Sequence, residues 1–206
     1  MNKNILGAFY MLISVTFFSL MDILVKVTDE YAVGQILFFR SLFGFIPIFF
    51  LIPKNRLKNF YKTQRIGLHF CRAFFGAIAM AAIFIALRNL QLAETVAMTF
   101  AGPIFVTIFS IFFLNEKVRV TRWSAVIIGF IGVIFISRPG FVTMNYYYIF
   151  PIIFCLGFAA VCVFIRKLTL CGESVWLIAF YFTLVSGLGG LATLPFGGWL
   201  MPTKID

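Results

Sequence analysis

Charge is scarce in this sequence: 12% of its 206 residues are charged, about half the share of an ordinary globular domain. Only seven residues are acidic, and there is a single histidine, His69. No nucleophile–base constellation and no cluster at metal-ligand spacing can be assembled from so few. The four cysteines (Cys71, Cys155, Cys162 and Cys171) lie within or beside apolar runs, which reads as small packing residues and not a disulfide framework. The segment GFIG (129–132) lacks the glycine spacing and following lysine of a phosphate loop. Neither a metal nor a cofactor is therefore expected. A small-residue cleavage site is also missing after the first apolar run, so that run reads as a retained helix and not a signal peptide.

Apolar side chains are plentiful: 62% of the chain is hydrophobic and the mean hydropathy is +1.04. A water-soluble core of this size has no use for so much apolar surface, and the chain reads as an integral membrane protein whose surroundings are the lipid bilayer. The net charge of +10 does not point to nucleic acid, because the basic residues sit in short hinges and no polar domain carries them. Seven runs are long or apolar enough to span: Ile5–Val25, Tyr31–Ile52, Ile66–Leu87, Leu92–Leu114, Ser124–Ile136, Tyr146–Ile165 and Val175–Pro195. The second hinge holds Lys54, Arg56, Lys58, Lys62 and Arg65, the fourth Lys117, Arg119 and Arg122, and the sixth Arg166 and Lys167. With Lys3 these put most of the basic residues on one side. The bias predicts a multi-pass protein of the cytoplasmic (inner) membrane with its N-terminus in the cytoplasm.

The fourth run, LAETVAMTFAGPIFVTIFSIFFL, has no charge after Glu94. As a helix it would extend roughly 34 Å, more than the ~30 Å hydrocarbon core. Near its middle, Pro103 follows Gly102. Proline has no N–H, so the carbonyl of Thr99 loses its helical partner and the helix is expected to kink. Lipid tolerates such a carbonyl only when it is buried in protein or faces a watery cavity. Thr99 and Pro103 are therefore candidate pathway residues.

Six ionisable side chains stand out within or beside the runs. Arg40 lies about 14 Å into run two by helical rise. It reads either as a site for an anionic substrate group, through its planar fork of donors, or as a paired arginine locking two helices. Arg72, about 9 Å into run three, is read as snorkelling to the surface or as a second pathway residue. Asp22 and Lys26, at i and i+4, can pair with each other; otherwise Asp22 serves Arg40 or a protonatable step. Glu94 opens run four, where a carboxylate suits a helix N-terminus, and its face continues to the Gly102-Pro103 bend. His69 reads as a polar edge residue, with the nearest acids at the opposite end of the membrane. Phe18 or Phe100 can stack on a flat substrate, though nothing singles them out among 29 phenylalanines.

A weak internal repeat pairs Ser14–Lys26 with Phe154–Arg166, five spans apart, which would invert the second copy in the membrane. Phe38-Phe39-Arg40-Ser41, His69-Phe70-Cys71-Arg72, Leu92-Ala93-Glu94, the Pro103 bend, Leu114-Asn115-Glu116, Arg122-Trp123 and Gly129–Gly140 follow in order. In this order and spacing the chain resembles an EamA domain of the drug/metabolite transporter superfamily. The resemblance implies an all-α polytopic membrane bundle of inverted five-helix repeats around a central substrate cavity. Residues 1–140 would form one complete repeat, and 141–206 the first two helices of an inverted second. The family pattern has ten helices, so the chain is read as truncated after helix seven or as part of a split carrier. Self-association or a partner chain supplying the C-terminal half would then complete it.

The function expected is a secondary transporter moving a small-molecule metabolite by alternating access, with uptake of an adenosyl- or flavin-type metabolite as the specific guess. An inactive remnant, an exporter and a membrane enzyme acting on lipid are the rival readings. Arg40, Arg72, Asp22, Glu94, Thr99 and Pro103 are the candidate substrate-binding residues. Arg40 and the Gly102-Pro103 bend are expected to share one polar chamber.

Overall fold

The computed structural model describes residues 3–28, 30–53, 61–114, 123–124, 126–131, 145–196 and 198–200. Six of the seven apolar runs are helices long and apolar enough to cross a membrane, and no strand occurs among the described residues. The helices are α1 (Lys3–Val27), α2 (Val33–Leu51), α3 (Ile66–Asn89), α4 (Leu92–Thr99), α5 (Gly102–Leu114), α6 (Ile149–Leu170) and α7 (Val175–Leu191). Of the fifth run, residues 126–131 are helical, and most of its remainder lies outside the described residues. So do Glu116, most of the basic hinge residues and the end of the chain from 201.

Run four is one span, Leu92–Leu114, interrupted at the expected bend. α4 ends at Thr99 and α5 begins at Gly102, with Phe100 and Ala101 bonded back to the carbonyls of Ala97 and Met98. The break sits where Pro103 withholds its N–H. The orphaned Thr99 carbonyl finds a partner across the bundle: the Cys155 thiol on α6 approaches it at 3.7 Å and the Met98 carbonyl at 3.6 Å. Cys155 is thus more than an apolar filler, although all four cysteines are free, as expected.

α3 is the centre of the bundle and packs on α1, α2, α4, α6 and α7. Its buried side includes His69, Ala73, Gly76, Ala79, Ile83 and Ala86, every third or fourth residue. Small residues at that spacing let neighbouring backbones approach, which is how helices associate where lipid is as apolar as the interface. A Cβ at Gly157 of α6 would lie 2.9 Å from the Cβ of Ala79 and 3.2 Å from the Phe75 carbonyl. Val25, Leu37, Ile83, Phe84 and Leu87 form the apolar core between α1, α2 and α3.

Polar side chains tie the helix ends. Lys26 donates to the carbonyls of Leu90 (2.7 Å) and Arg88 (3.4 Å) at the C-terminus of α3, a place where a cation suits both the orphan carbonyls and the helix dipole. The expected Asp22–Lys26 pair is therefore not formed. Arg88 donates to the carbonyls of Thr28 and Tyr31 in the α1–α2 turn. At the same end, Gln35 holds the backbone of Leu200 through both its amide groups.

Candidate functional site

Four of the six candidate residues line one cavity of about 450 Å3 inside the bundle: Asp22 from α1, Arg40 from α2, Arg72 from α3 and Thr99 from α4. The rest of the wall is mostly apolar, with Phe18 and Met21 on α1, Met80 on α3, and Phe154 and Phe158 on α6. The chamber is therefore an apolar one carrying a few charges, not the polar one expected. Phe18 faces it and Phe100 does not; Phe100 is exposed.

The two arginines meet at one aromatic ring. The guanidinium carbon of Arg72 lies 4.1 Å from the ring centroid of Phe182 on α7, and that of Arg40 lies 5.7 Å from it. Gly76 makes room for this ring, since a Cβ there would lie 2.9 Å from its Cε2. Arg72 does not snorkel: its Nε and Nη1 are buried with no hydrogen-bond partner among the described residues. The locking partner anticipated for Arg40 is not there either, as no carboxylate of the described residues lies within 4.0 Å of it. Sequence alone had no signal for Phe182, one phenylalanine of 29. Its role comes from lying across α3 from Gly76.

Glu94 and Pro103 lie elsewhere. Glu94 accepts a hydrogen bond of 3.0 Å from the Tyr148 hydroxyl, which ties the start of α4 to the turn before α6. Pro103 is exposed on the bundle surface, and its neighbour Gly102 packs against Phe158. The bend thus shapes the cavity wall through Gly102 and Thr99, while the proline ring points away.

His69 is a second correction. It is fully buried, packs at a tilt against Tyr181 with ring centroids 4.8 Å apart, and lies 3.6 Å from a carboxylate oxygen of Glu173. The acid comes from the α6–α7 turn, at the same end of the bundle and not the opposite one. Thr63 donates to the other Glu173 oxygen at 2.6 Å, and Tyr181 donates to the Tyr61 carbonyl at 2.6 Å. The group bolts the hinge before α3 to the turn before α7. A single acid in a short hinge gave no sequence signal for this contact, because the residues it joins are about a hundred positions apart.

No group of three metal-binding side chains occurs among the described residues. Sequence comparisons match this bundle of apolar spans to proteins named as transporters. The S-adenosylmethionine uptake transporter of Rickettsia felis is 27% identical over 177 residues, 84% of this chain and 58% of that protein. The riboflavin transporter of Vibrio cholerae is 27% identical over 147 residues, 71% of this chain and 49% of that one. Solute carrier family 35 member G1 of Homo sapiens is 34% identical over 139 residues, 66% of this chain and 37% of that one. The chain thus spans 58% and 49% of the length of these two bacterial relatives. No solved structure matches it. The EamA-like transporter family model covers residues 5–138, well over half the chain, and this multi-pass membrane protein belongs to that family.

Proposed function

We propose that the chain is a secondary transporter, not an enzyme, which moves a small metabolite across the cytoplasmic membrane by alternating access, with its N-terminus in the cytoplasm. The observation that carries this reading is the cavity, where side chains from α1, α2, α3, α4, α6 and α7 converge deep in the bundle. Charges at bilayer depth are costly and usually mark a pathway. Asp22, Arg40, Arg72 and Thr99 contact substrate in this reading; Glu94 and Pro103 act from outside the cavity. Phe18 and Phe158, paired by the internal repeat, both line it, which supports residues 1–140 as one repeat and 141–206 as the first two helices of an inverted second. The relatives named for S-adenosylmethionine and riboflavin favour uptake of an adenosyl or flavin metabolite. The test is flux into proteoliposomes holding the purified chain, with S-adenosylmethionine and riboflavin first in a labelled metabolite panel. Saturable entry that drops at least tenfold in Arg40→Gln is expected. Entry no faster than into protein-free liposomes, across the whole panel, would overturn the reading.

A further inference from the structure

Two cations and one anion line the cavity, and the cations are drawn together. Arg40 and Arg72 both reach the ring of Phe182, at 5.7 Å and 4.1 Å, close enough to repel each other electrostatically. Like charges sharing an apolar chamber are unfavourable, because the low dielectric strengthens repulsion and removes water's compensation. Phe182 offsets part of this through its ring face, most for the closer Arg72. It supplies no hydrogen-bond acceptor in the plane of either guanidinium, and Nε and Nη1 of Arg72 remain unpartnered among the described residues. Buried donors of this kind are rare in folded proteins and call for an acceptor. A carboxylate or phosphate satisfies a guanidinium fork with two parallel hydrogen bonds. A monoanion also brings a lining of two guanidiniums and one carboxylate to neutrality.

We propose that Arg40 and Arg72 form a clamp, hinged on Phe182, for the carboxylate or phosphate of an organic anion whose apolar body lies against Phe18, Phe154 and Phe158. This names the anionic group by which the cavity would grip its substrate, such as the amino-acid carboxylate of an S-adenosylmethionine-type metabolite. Riboflavin, which has neither group, would not use the clamp. The proposal rests on the transport reading only for its physiological use. The anionic group can come from a soluble metabolite or from a lipid headgroup entering between the helices, and both would use the same donors.

The test is binding, so it needs no flux. The chain is placed in phosphatidylcholine nanodiscs and its thermal unfolding is followed against benzoate, with benzyl alcohol as the neutral match. Benzoate should raise the unfolding temperature saturably and benzyl alcohol should not. Arg72→Gln and Arg40→Gln should each weaken the benzoate response about tenfold or more, the loss expected for a charge-assisted hydrogen bond. A second measurement separates a clamp from a structural lock. Without ligand, Arg40→Gln should unfold at the same or a higher temperature, because it removes a repelling charge. Equal responses to benzoate and benzyl alcohol, or a benzoate response that survives both substitutions, would sink the proposal. So would an unliganded Arg40→Gln chain that unfolds several degrees lower while still answering to benzoate. Adding phosphatidylglycerol to the discs separates the sources. If the benzoate response persists, the clamp serves a soluble anion; if phosphatidylglycerol abolishes it and itself stabilises the wild-type chain but neither arginine variant, a lipid headgroup fills the clamp. Arginine-dependent binding without flux would leave the clamp standing and the transport reading fallen. Flux indifferent to both arginines would do the reverse.

Discussion

Pro103 withholds an N–H from the Thr99 carbonyl, and in hydrocarbon that oxygen has no water to turn to. Among the described residues the donor near it is the Cys155 thiol, 3.7 Å away and 1% exposed. A thiol is a weak donor, yet removing it leaves the Thr99 carbonyl at the α4–α5 break short of a partner, while the Met98 carbonyl keeps the Ala101 N–H. Leaving a buried acceptor unmet costs about 1–3 kcal/mol. Cys155→Ala should therefore lower stability by about 1 kcal/mol, and Cys155→Ser, which keeps a donor at the same position, should stay close to wild type. Thermal unfolding in detergent distinguishes them. If the alanine and serine variants unfold together, the thiol is only a filler and the break is held by something else. The break itself was legible in the sequence, because the missing N–H is a property of one residue. Its remedy was not, because Cys155 stands more than fifty positions away and reaches the break only through the packing of α6.

At the scale of elements, the apolar runs announced the helices, since each had to satisfy its own backbone in lipid. What composition left open was how closely they approach, and there glycines decide. α2 and α7 cross almost backbone to backbone: a Cβ on Gly190 would lie 2.6 Å from the Gly34 carbonyl oxygen and 2.7 Å from the Phe38 nitrogen. Neither neighbour is a flexible side chain, so the helices themselves would have to part. Gly190→Ala is expected to destabilise the chain by about 1–3 kcal/mol, as overpacking does, and to move Arg40, two residues after Phe38, away from Phe182. Gly129→Ala is the control, with no neighbour among the described residues within 4 Å of its Cβ position. Its removal from the helix interior should leave stability the same or slightly higher. Unfolding temperatures check both, and a Gly190→Ala chain as stable as wild type would mean that the close crossing is not required. The Asp22–Lys26 pairing failed at this same scale. Spacing of i and i+4 makes a pair available, but the exposed carbonyls ending α3 offered Lys26 a better site, and Asp22 was left to the cavity.

For the whole molecule, the cavity matters only if its two ends can open in turn, and one end carries a visible fastening. Thr63 and Tyr61, in the hinge before α3, bond to Glu173 and Tyr181, at the start of the α6–α7 turn and within α7, and buried His69 lies against both partners. Glu173 is the centre of this bolt, taking the Thr63 hydroxyl on one oxygen and facing His69 with the other. If it holds that end closed, removing it should raise the open population without dismantling the cavity. Cys162 is a convenient reporter: it is half-buried on α6, within electrostatic reach of Arg72. In a chain whose other three cysteines are serine, Glu173→Ala should speed reaction of Cys162 with a water-soluble maleimide about tenfold, the population change that loss of one charge-assisted hydrogen bond brings. Glu173→Gln should do less, because its amide oxygen still accepts from Thr63. The binding of benzoate should survive in both, since neither touches the arginines. Unchanged labelling in Glu173→Ala would mean that the bolt is a local tie and that this end is closed by the packing of α3 against α6 and α7 alone.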